Sequence, residues 1–244
     1  MNEKNAILSS ATADNPVDAT FLIQNAGFGR NRIDGAWEIY NSWNYNLGGP
    51  NASEGNYCAE SYHSTFQLEQ NIDAPKGVYK LTAQGFYRQD GTDNDDLPYF
   101  FAYCHETGES SNARFPYKTG SENSMADAAN SFENGLYTSD PMYIEMPSDG
   151  MMAIGAYLAE NVDLWCIWDN FHLTYYGPDA DINALKNAGL IASYEKALAD
   201  ATEALTDEEY AIVAGEEREN LSAVIAEHEN VGSDETSLQN ALEA

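Results

Sequence analysis

The stretch that decides the fold spans residues 164–177 and reads LWCIWDNFHLTYYG. Its side chains divide between two faces at a period of two, which is typical of a β-strand and not of a helix. Aromatic and β-branched residues are enriched in it, as they are in strands. We therefore predict a closing strand of a β-sandwich, with one face formed by Trp165, Ile167, Phe171, Leu173 and Tyr175.

Asp169 is the exception in this strand, because its parity places a carboxylate on the apolar face. A carboxylate removed from water needs a hydrogen-bond network or a metal ion. The sequence leaves two interpretations open. Asp169 either accepts hydrogen bonds from neighbouring backbone N–H groups near the rim of the sandwich, or it is a ligand of a structural calcium ion.

The composition limits the classes of partner. The 244 residues are 43% hydrophobic, which is enough to bury a core, and their formal net charge is −29. Such a surface repels phosphate backbones, so we expect no nucleic-acid partner. No apolar run approaches the roughly 20 residues of a membrane span, so we expect no membrane insertion. Neutral ligands such as sugars, and hard cations, remain possible.

The composition changes at the Gly-Pro pair of residues 177–178. Beyond it, the aromatic residues are Tyr194 and Tyr210, and apolar side chains recur at helical spacing. We predict a mainly-β fold over 17–177, followed by a small antiparallel α-helical bundle. The predicted parts are an N-terminal tail or linker over 1–16, the β-sandwich over 17–177, and an acidic helical hairpin or three-helix extension over 178–244.

Several shorter segments have strand or turn character. The sequence PSDG at 147–150 predicts a tight turn that pairs the strands on either side of it. Long loops are predicted over 25–57 and 106–135, which are rich in Gly, Asn and Ser. The predicted strands before the closing one cover residues 17–25, 65–72, 78–88, 98–105, 142–146 and 151–158.

Four segments carry a family resemblance: VDATFLIQNAGF, CAESYHSTFQLEQ, GVYKLTAQGFYR and WCIWDNFHLTYYG, in this order. They resemble the galactose-binding-like, carbohydrate-binding-module-like domains of secreted and surface proteins of gut anaerobic bacteria. The resemblance implies a jelly-roll β-sandwich with a helical extension, and a non-catalytic, glycan-binding function next to other domains of a larger protein. It also implies an extracellular or cell-surface location, although the opening MNEKNAILSS lacks the apolar run of a secretory signal.

The resemblance also implies a metal site. Some of these modules hold a structural calcium ion between the first and last strands, and Asn25 and Asp169 match positions of that kind. An acidic residue often follows the phenylalanine of the opening motif, but this chain has Gly29 there. Calcium takes six to eight oxygen ligands, so most of the others would be backbone carbonyls.

Candidate ligand-binding residues follow from the chemistry of sugars, which need flat aromatic faces and planar hydrogen-bonding groups. The first long loop contributes Trp37, Trp43 and Tyr45, and Tyr62 precedes the next strand. Arg88 ends the GFYR segment and offers a guanidinium fork. Packing is the alternative role for each aromatic residue, and an ion pair with the following acidic loop is the alternative for Arg88. We predict that at least one of the two tryptophans is exposed and stacks on a sugar ring.

Catalytic motifs are absent from the sequence. GxSxG, HExxH, GxxxxGK[ST] and GxGxxG do not occur, and the four histidines are scattered. We therefore predict that the chain is not an enzyme. The leading prediction is a non-catalytic carbohydrate-binding-like module, and the alternative is a structural or protein-interaction module without a sugar site.

Overall fold

The structure is a computed structural model that describes residues 3–28, 36–40, 45–47, 58–91, 96–160, 163–206, 215–228 and 235–243. The chain divides into two compact units, Met1–Ala180 and Asp181–Ala244. The first unit contains the strands and two helices, and the second contains helices. Among the described residues, no helix is both long and apolar enough to cross a membrane.

The first unit begins with helix α1 (Glu3–Ser9), and helix α2 (Met125–Glu133) lies in the middle of its sequence. A short 3-10 turn covers Thr20–Leu22. The strands of this unit are β1 (Val17–Asp18), β2 (Glu38–Tyr40), β3 (Tyr45–Leu47), β4 (Ala59–Tyr62), β5 (Phe66–Ala74), β6 (Gly77–Gln89), β7 (Tyr99–Cys104), β8 (Ser110–Arg114), β9 (Met142–Met146), β10 (Gly150–Leu158) and β11 (Leu164–Tyr175).

These strands form two antiparallel sheets that enclose an apolar core. Within the described residues, one sheet has the order β3-β4-β11-β6-β9, with β1 also paired to β11, and the other has the order β2-β5-β10-β7-β8. The predicted mainly-β jelly-roll sandwich is confirmed. The core between the sheets is built from large side chains, among them Phe66, Leu68, Leu81, Phe100, Trp168 and Phe171.

Strand β11 contains a β-bulge. Its pairing with β6 changes register between Asp169 and His172, and Asn170 between them has a φ of 48°. An extra residue in one strand changes which set of alternating side chains points into the core. Cys166 and Trp168 belong to the core before the bulge, whereas the core residues after it are Phe171, Leu173 and Tyr175.

The prediction of one continuous apolar face in β11 was therefore wrong. Trp165 and Ile167 lie in a second apolar cluster with Phe86 of β6 and with residues of α2 such as Phe132. Helix α2 thus covers the outer face of the six-stranded sheet at β11, which explains why this strand is apolar on both faces.

The N-terminal segment differs from its prediction. A tail was predicted over 1–16, but α1 forms there and buries Leu8 in the main core, and Ala11 just after the helix is buried in the same core. A strand was predicted over 17–25, but β1 ends at Asp18. The Asp18 carboxylate accepts a hydrogen bond of 2.8 Å from the backbone N–H of Thr20, which turns the chain into the 3-10 segment.

The segment PSDG connects two sheets and does not close a hairpin. Strand β9 pairs with β6 in the six-stranded sheet, whereas β10 pairs with β5 and β7 in the other. The predicted pairing of these two strands was wrong, because a turn sequence encodes the reversal of the chain but not the next partner. Strands β2, β3 and β8 also lie within segments that were predicted as loops.

The second unit consists of α3 (Ile182–Thr206), α4 (Gly215–His228) and α5 (Glu235–Glu243). Helix α3 contacts both α4 and α5. The Asp181 carboxylate accepts a hydrogen bond of 2.9 Å from the backbone N–H of Asn183 and so caps the start of α3. Leu238 of α5 is buried.

Candidate functional site

Trp37 lies in the core of the first unit. Its side chain is 5% exposed, and its ring centroid lies 5.3 Å from that of Phe28 and 4.9 Å from that of Phe171. The indole Nε1 donates a hydrogen bond of 3.1 Å to the backbone carbonyl of Asn25. An indole enclosed by two other rings cannot stack on a sugar, so the prediction of Trp37 as an exposed platform is corrected.

The other two aromatic candidates of the first loop stay predictions. Trp43 lies outside the described residues. Tyr45 begins β3, which pairs with β4 so that Tyr45 is opposite Ser61, but its side chain is outside the described part.

Tyr62 and Arg88 lie on either side of Trp165, at the same end of the six-stranded sheet. Tyr62 is exposed and stacks on His63, with ring centroids 3.9 Å apart. The Arg88 guanidinium lies 4.4 Å from the Trp165 ring centroid and forms an ion pair with Asp90. This pair is the alternative role that the sequence offered for Arg88, and it holds the pKa of the Asp90 carboxyl below its usual value.

Asp169 is fully buried at the bulge of β11. Its Oδ1 accepts a hydrogen bond of 2.7 Å from the backbone N–H of Asn170, and no described residue gives Oδ2 a hydrogen-bond partner. Burial raises the pKa of Asp169 well above its usual value. A Cβ atom on Gly27 would lie 3.2 Å from the Asn170 Oδ1 and 3.8 Å from the Asp169 Oδ1, so oxygen atoms gather around this glycine. Such a set of oxygen donors fits a hard cation.

Asn25 lies in the turn that packs against this bulge. The turn is joined to β11 by a hydrogen bond of 3.0 Å from the Phe171 N–H to the Ala26 carbonyl. Asn25 has a φ of 51°, and its carbonyl accepts from both Trp37 and Phe28. Among the described residues, no three His, Cys, Asp or Glu side chains form a group that could hold a metal. The side-chain oxygens that lie near Gly27 are those of the Asp169 carboxylate and the Asn170 amide.

A groove on the exposed face of the five-stranded sheet was not among the predicted sites. It has a volume of about 330 Å³, and we call it the aromatic groove. Strands β5, β10, β7 and β8 supply its lining, which among the described residues is Gln67, Glu69, Tyr99, Phe101, Tyr103, His105, Ser110, Asn112, Ala153 and Tyr157.

The cross-strand register explains the shape of the aromatic groove. Gly155 of β10 lies between Glu69 of β5 and Phe101 of β7, and two residues earlier an alanine lies between Asn71 and Tyr103. Small residues on the middle strand leave a trough between a polar wall on β5 and an aromatic wall on β7. A Cβ atom on Gly155 would clash with the backbone carbonyl oxygen of Leu68 and would come within 2.7 Å of the Phe101 ring, so only glycine fits there.

The aromatic wall comes from the alternation of β7. Tyr99, Phe101 and Tyr103 are half-buried, and the residues between them are buried in the core. Side chains on one face of a strand repeat about every 6.6 Å, so the three rings form a row. The Tyr99 ring packs on that of Tyr157 at 5.4 Å and closes one end of the groove. Burial, and then the neighbouring Tyr157, raise the pKa of Tyr99 above its usual value.

The polar wall is a connected network. The Glu69 carboxylate accepts hydrogen bonds from the Asn71 Nδ2 at 3.2 Å and the Gln67 Nε2 at 3.4 Å. Because the Asn71 amide nitrogen is a donor in this network, its Oδ1 accepts from the His105 Nε2 at 2.8 Å. This bond runs from β5 to the end of β7 and closes the other end of the groove.

The sequence held a signal for this groove. The segment YFFAYC alternates buried and half-buried side chains, so one of its faces is turned away from the core. In MMAIGAYL, Ala153 and Gly155 have small side chains or none, so β10 leaves the outer face of the sheet uncovered at these positions. The order of the strands could not be read from the sequence. The groove exists because β10 lies between β5 and β7.

No protein-family model and no curated protein matches the chain. Similar solved structures include TmCBM61 in complex with β-1,4-galactotriose, which is 15% identical over 63% of this chain and 97% of that one, with a TM-score of 0.43. An apo-form cyclase from Fischerella sp. is 15% identical over 69% and 100%, with a TM-score of 0.43. A family 35 carbohydrate binding module from Clostridium thermocellum is 14% identical over 66% and 98%, with a TM-score of 0.36.

Proposed function

We propose that the chain is a non-catalytic saccharide-binding module and that its ligand lies in the aromatic groove. The observation that carries this proposal is the row of half-buried rings on β7, which faces amide and carboxylate side chains on β5 across small residues. The C–H face of a sugar ring packs on an aromatic side chain, and its hydroxyls need planar hydrogen-bonding partners. The aromatic groove offers both within one surface.

The arrangement of carboxylates supports a non-catalytic role. Glycoside hydrolysis uses two carboxyl groups on opposite sides of the scissile bond, about 5–10 Å apart. Glu69 and Glu38 are cross-strand neighbours on the β5 side of the groove. The wall on β7 presents aromatic side chains and His105 instead. Mass spectra of a bound oligosaccharide after long incubation should therefore show no cleavage products.

Removal of an aromatic wall residue should weaken saccharide binding. Phe101→Ala and Tyr103→Ala should each cost about 1–3 kcal/mol of binding free energy, as anchor residues do in other interfaces. Both side chains are half-buried at the surface of the sheet, so the variants should stay folded. A glycan array identifies the ligand, and titration calorimetry with that ligand measures the loss.

Two exposed tyrosines provide controls for this experiment. Tyr117, which is 54% exposed and packs against Tyr87, should be replaceable by alanine without loss of affinity. Tyr62→Ala tests the site that the sequence predicted at the end of the other sheet. Loss of binding in Tyr62→Ala alone would place the ligand there. An array without any bound glycan would favour the structural or protein-interaction module.

We also propose a structural calcium ion at the bulge of β11, held by Asp169 with the help of Asn170 and backbone carbonyls of the turn at Asn25. Two observations support it: within the described part of the chain the Asp169 Oδ2 has no hydrogen-bond partner, and side-chain oxygens of Asp169 and Asn170 both lie near Gly27. Calcium would there neutralise a buried carboxylate and join the turn to the closing strand.

We propose further that the chain belongs to an exported or cell-surface protein of a gut anaerobic bacterium and works beside other domains. This proposal rests on the order of the four motif segments. Fractionation of cells, followed by detection of the protein with an antibody, tests it.

A further inference from the structure

We infer that the aromatic groove selects neutral saccharides against those that carry carboxylates, and that Glu69 sets this selectivity. The inference rests on the proposed function and names the class of ligand for the same site. It follows from the charge that lines the groove and from the way in which Glu69 is held.

Negative charge is concentrated on the β5 side of the groove. Glu69 lies at its centre, and the exposed Glu38 of β2 is its cross-strand neighbour. Asp73 lies further along β5, two residues beyond Asn71. A carboxylate on a sugar ring in this trough would therefore meet like charges at close range, where solvent screening is weaker than at an open surface.

The described lining of the groove places no cationic side chain opposite Glu69. Among the described lining residues, His105 is the one side chain that can become cationic, and it lies at the closed end against Asn71. Arg114 lies on β8 beside Tyr99, and its Nη1 donates to the Leu97 carbonyl. Neither side chain is opposite Glu69.

The hydrogen bonds of Glu69 add a second reason. An ionised carboxylate has about four lone-pair positions and is an acceptor only. Gln67 and Asn71 each occupy one position and fix the plane of the carboxylate. The free positions can accept from hydroxyl groups, and two neighbouring hydroxyls of one ring match the spacing of two carboxylate oxygens. A uronate carboxylate is also an acceptor only, so it cannot take the place of these hydroxyls.

The experiment compares each neutral polysaccharide with its own acidic form. The probes are galactan, mannan, xylan and hydroxyethylcellulose, together with galactan, mannan and hydroxyethylcellulose whose primary hydroxyls have been oxidised to carboxylates, and glucuronic-acid-substituted xylan. Affinity electrophoresis at low and high salt measures binding of the wild-type chain, of Glu69→Gln and of Glu145→Gln. Glu145 is exposed on β9 of the other sheet and is the matched control.

The wild-type chain should bind the neutral form about tenfold more tightly than the acidic form at low salt, as expected for like charges a few ångström apart. The ratio should shrink at high salt because added ions screen the repulsion. Glu69→Gln should bring the ratio close to one, mainly by tighter binding of the acidic form, and Glu145→Gln should leave it unchanged.

The outcomes separate this inference from the proposed function. No binding of any neutral or acidic probe would count against the proposed function itself, whereas binding of the acidic forms alone would retain the function and overturn the selectivity. Binding that depends on Phe101, with equal affinity for both forms, would retain the function and overturn the selectivity. A tenfold ratio that persists in Glu69→Gln would also overturn it, because the selectivity would then have another source.

Discussion

Replacement of Trp37 by alanine should lower the free energy of unfolding by about 3–5 kcal/mol, the usual cost of a buried tryptophan. The indole is almost fully buried, and its removal would leave a cavity between Phe28 and Phe171. It would also leave the Asn25 carbonyl without one of its donors. Urea denaturation, followed by circular dichroism, measures the change.

Trp37→Phe provides the control in case the alanine variant does not fold. A phenyl ring keeps part of the aromatic packing but loses the hydrogen bond, so the cost should be smaller, about 1–3 kcal/mol. The folded variant should bind saccharide with the affinity of the wild-type chain, since Trp37 lies inside the core and the aromatic groove lies on the outer face. A stable Trp37→Ala variant that no longer binds would make Trp37 a ligand platform after all.

Local patterns in the sequence were sufficient for most of the sandwich. Strands β5, β6 and β7 were predicted within a few residues of their bounds, because each alternates or is rich in β-branched and aromatic residues. The aromatic residues of the first loop were harder to interpret. A tryptophan such as Trp37 has the same local sequence whether it enters the core or stacks on a ligand, and only the rings of Phe28 and Phe171 decide between these roles.

The bulge and the aromatic groove could not be predicted for a different reason. The bulge is one extra residue in β11, and it needs Asn170 in the left-handed region, which asparagine tolerates better than most residues. Nothing in the alternation on either side reveals it. The groove depends on pairings between distant parts of the chain. Glu69 of β5 and Phe101 of β7 are brought onto one surface because both pair with Gly155 of β10. Local sequence supplies the side chains of such a site but not their neighbours.

Asp169→Asn should abolish a calcium-dependent gain in stability of about 3 kcal/mol, the gain expected when free calcium exceeds the dissociation constant about a hundredfold. An amide at this position cannot balance the charge of the ion, whereas the buried carboxylate of Asp169 can. The measurement is the free energy of unfolding in excess calcium and in excess chelator. Asp73→Asn, an exposed change in β5, should keep the full response to calcium.

The pH dependence in chelator has a definite sign. Burial raises the pKa of Asp169 in the folded protein above its ordinary value of 3.8. The protonated carboxyl therefore stabilises the fold most below that ordinary value, and its contribution is lost as the pH rises through the raised pKa. In chelator at neutral pH, Asp169→Asn should consequently be more stable than the wild-type chain.

In calcium, the wild-type chain should become more stable than Asp169→Asn. The ion stabilises the ionised Asp169 carboxylate, whereas the asparagine variant offers it no charged partner. This reversal separates a metal ligand from a carboxylate that is only hydrogen-bonded. A wild-type chain that unfolds identically in calcium and in chelator, with Asp169→Asn more stable in both, would remove the calcium proposal. Asp169 would then stay as a buried acid that is satisfied by protonation and by the N–H of Asn170.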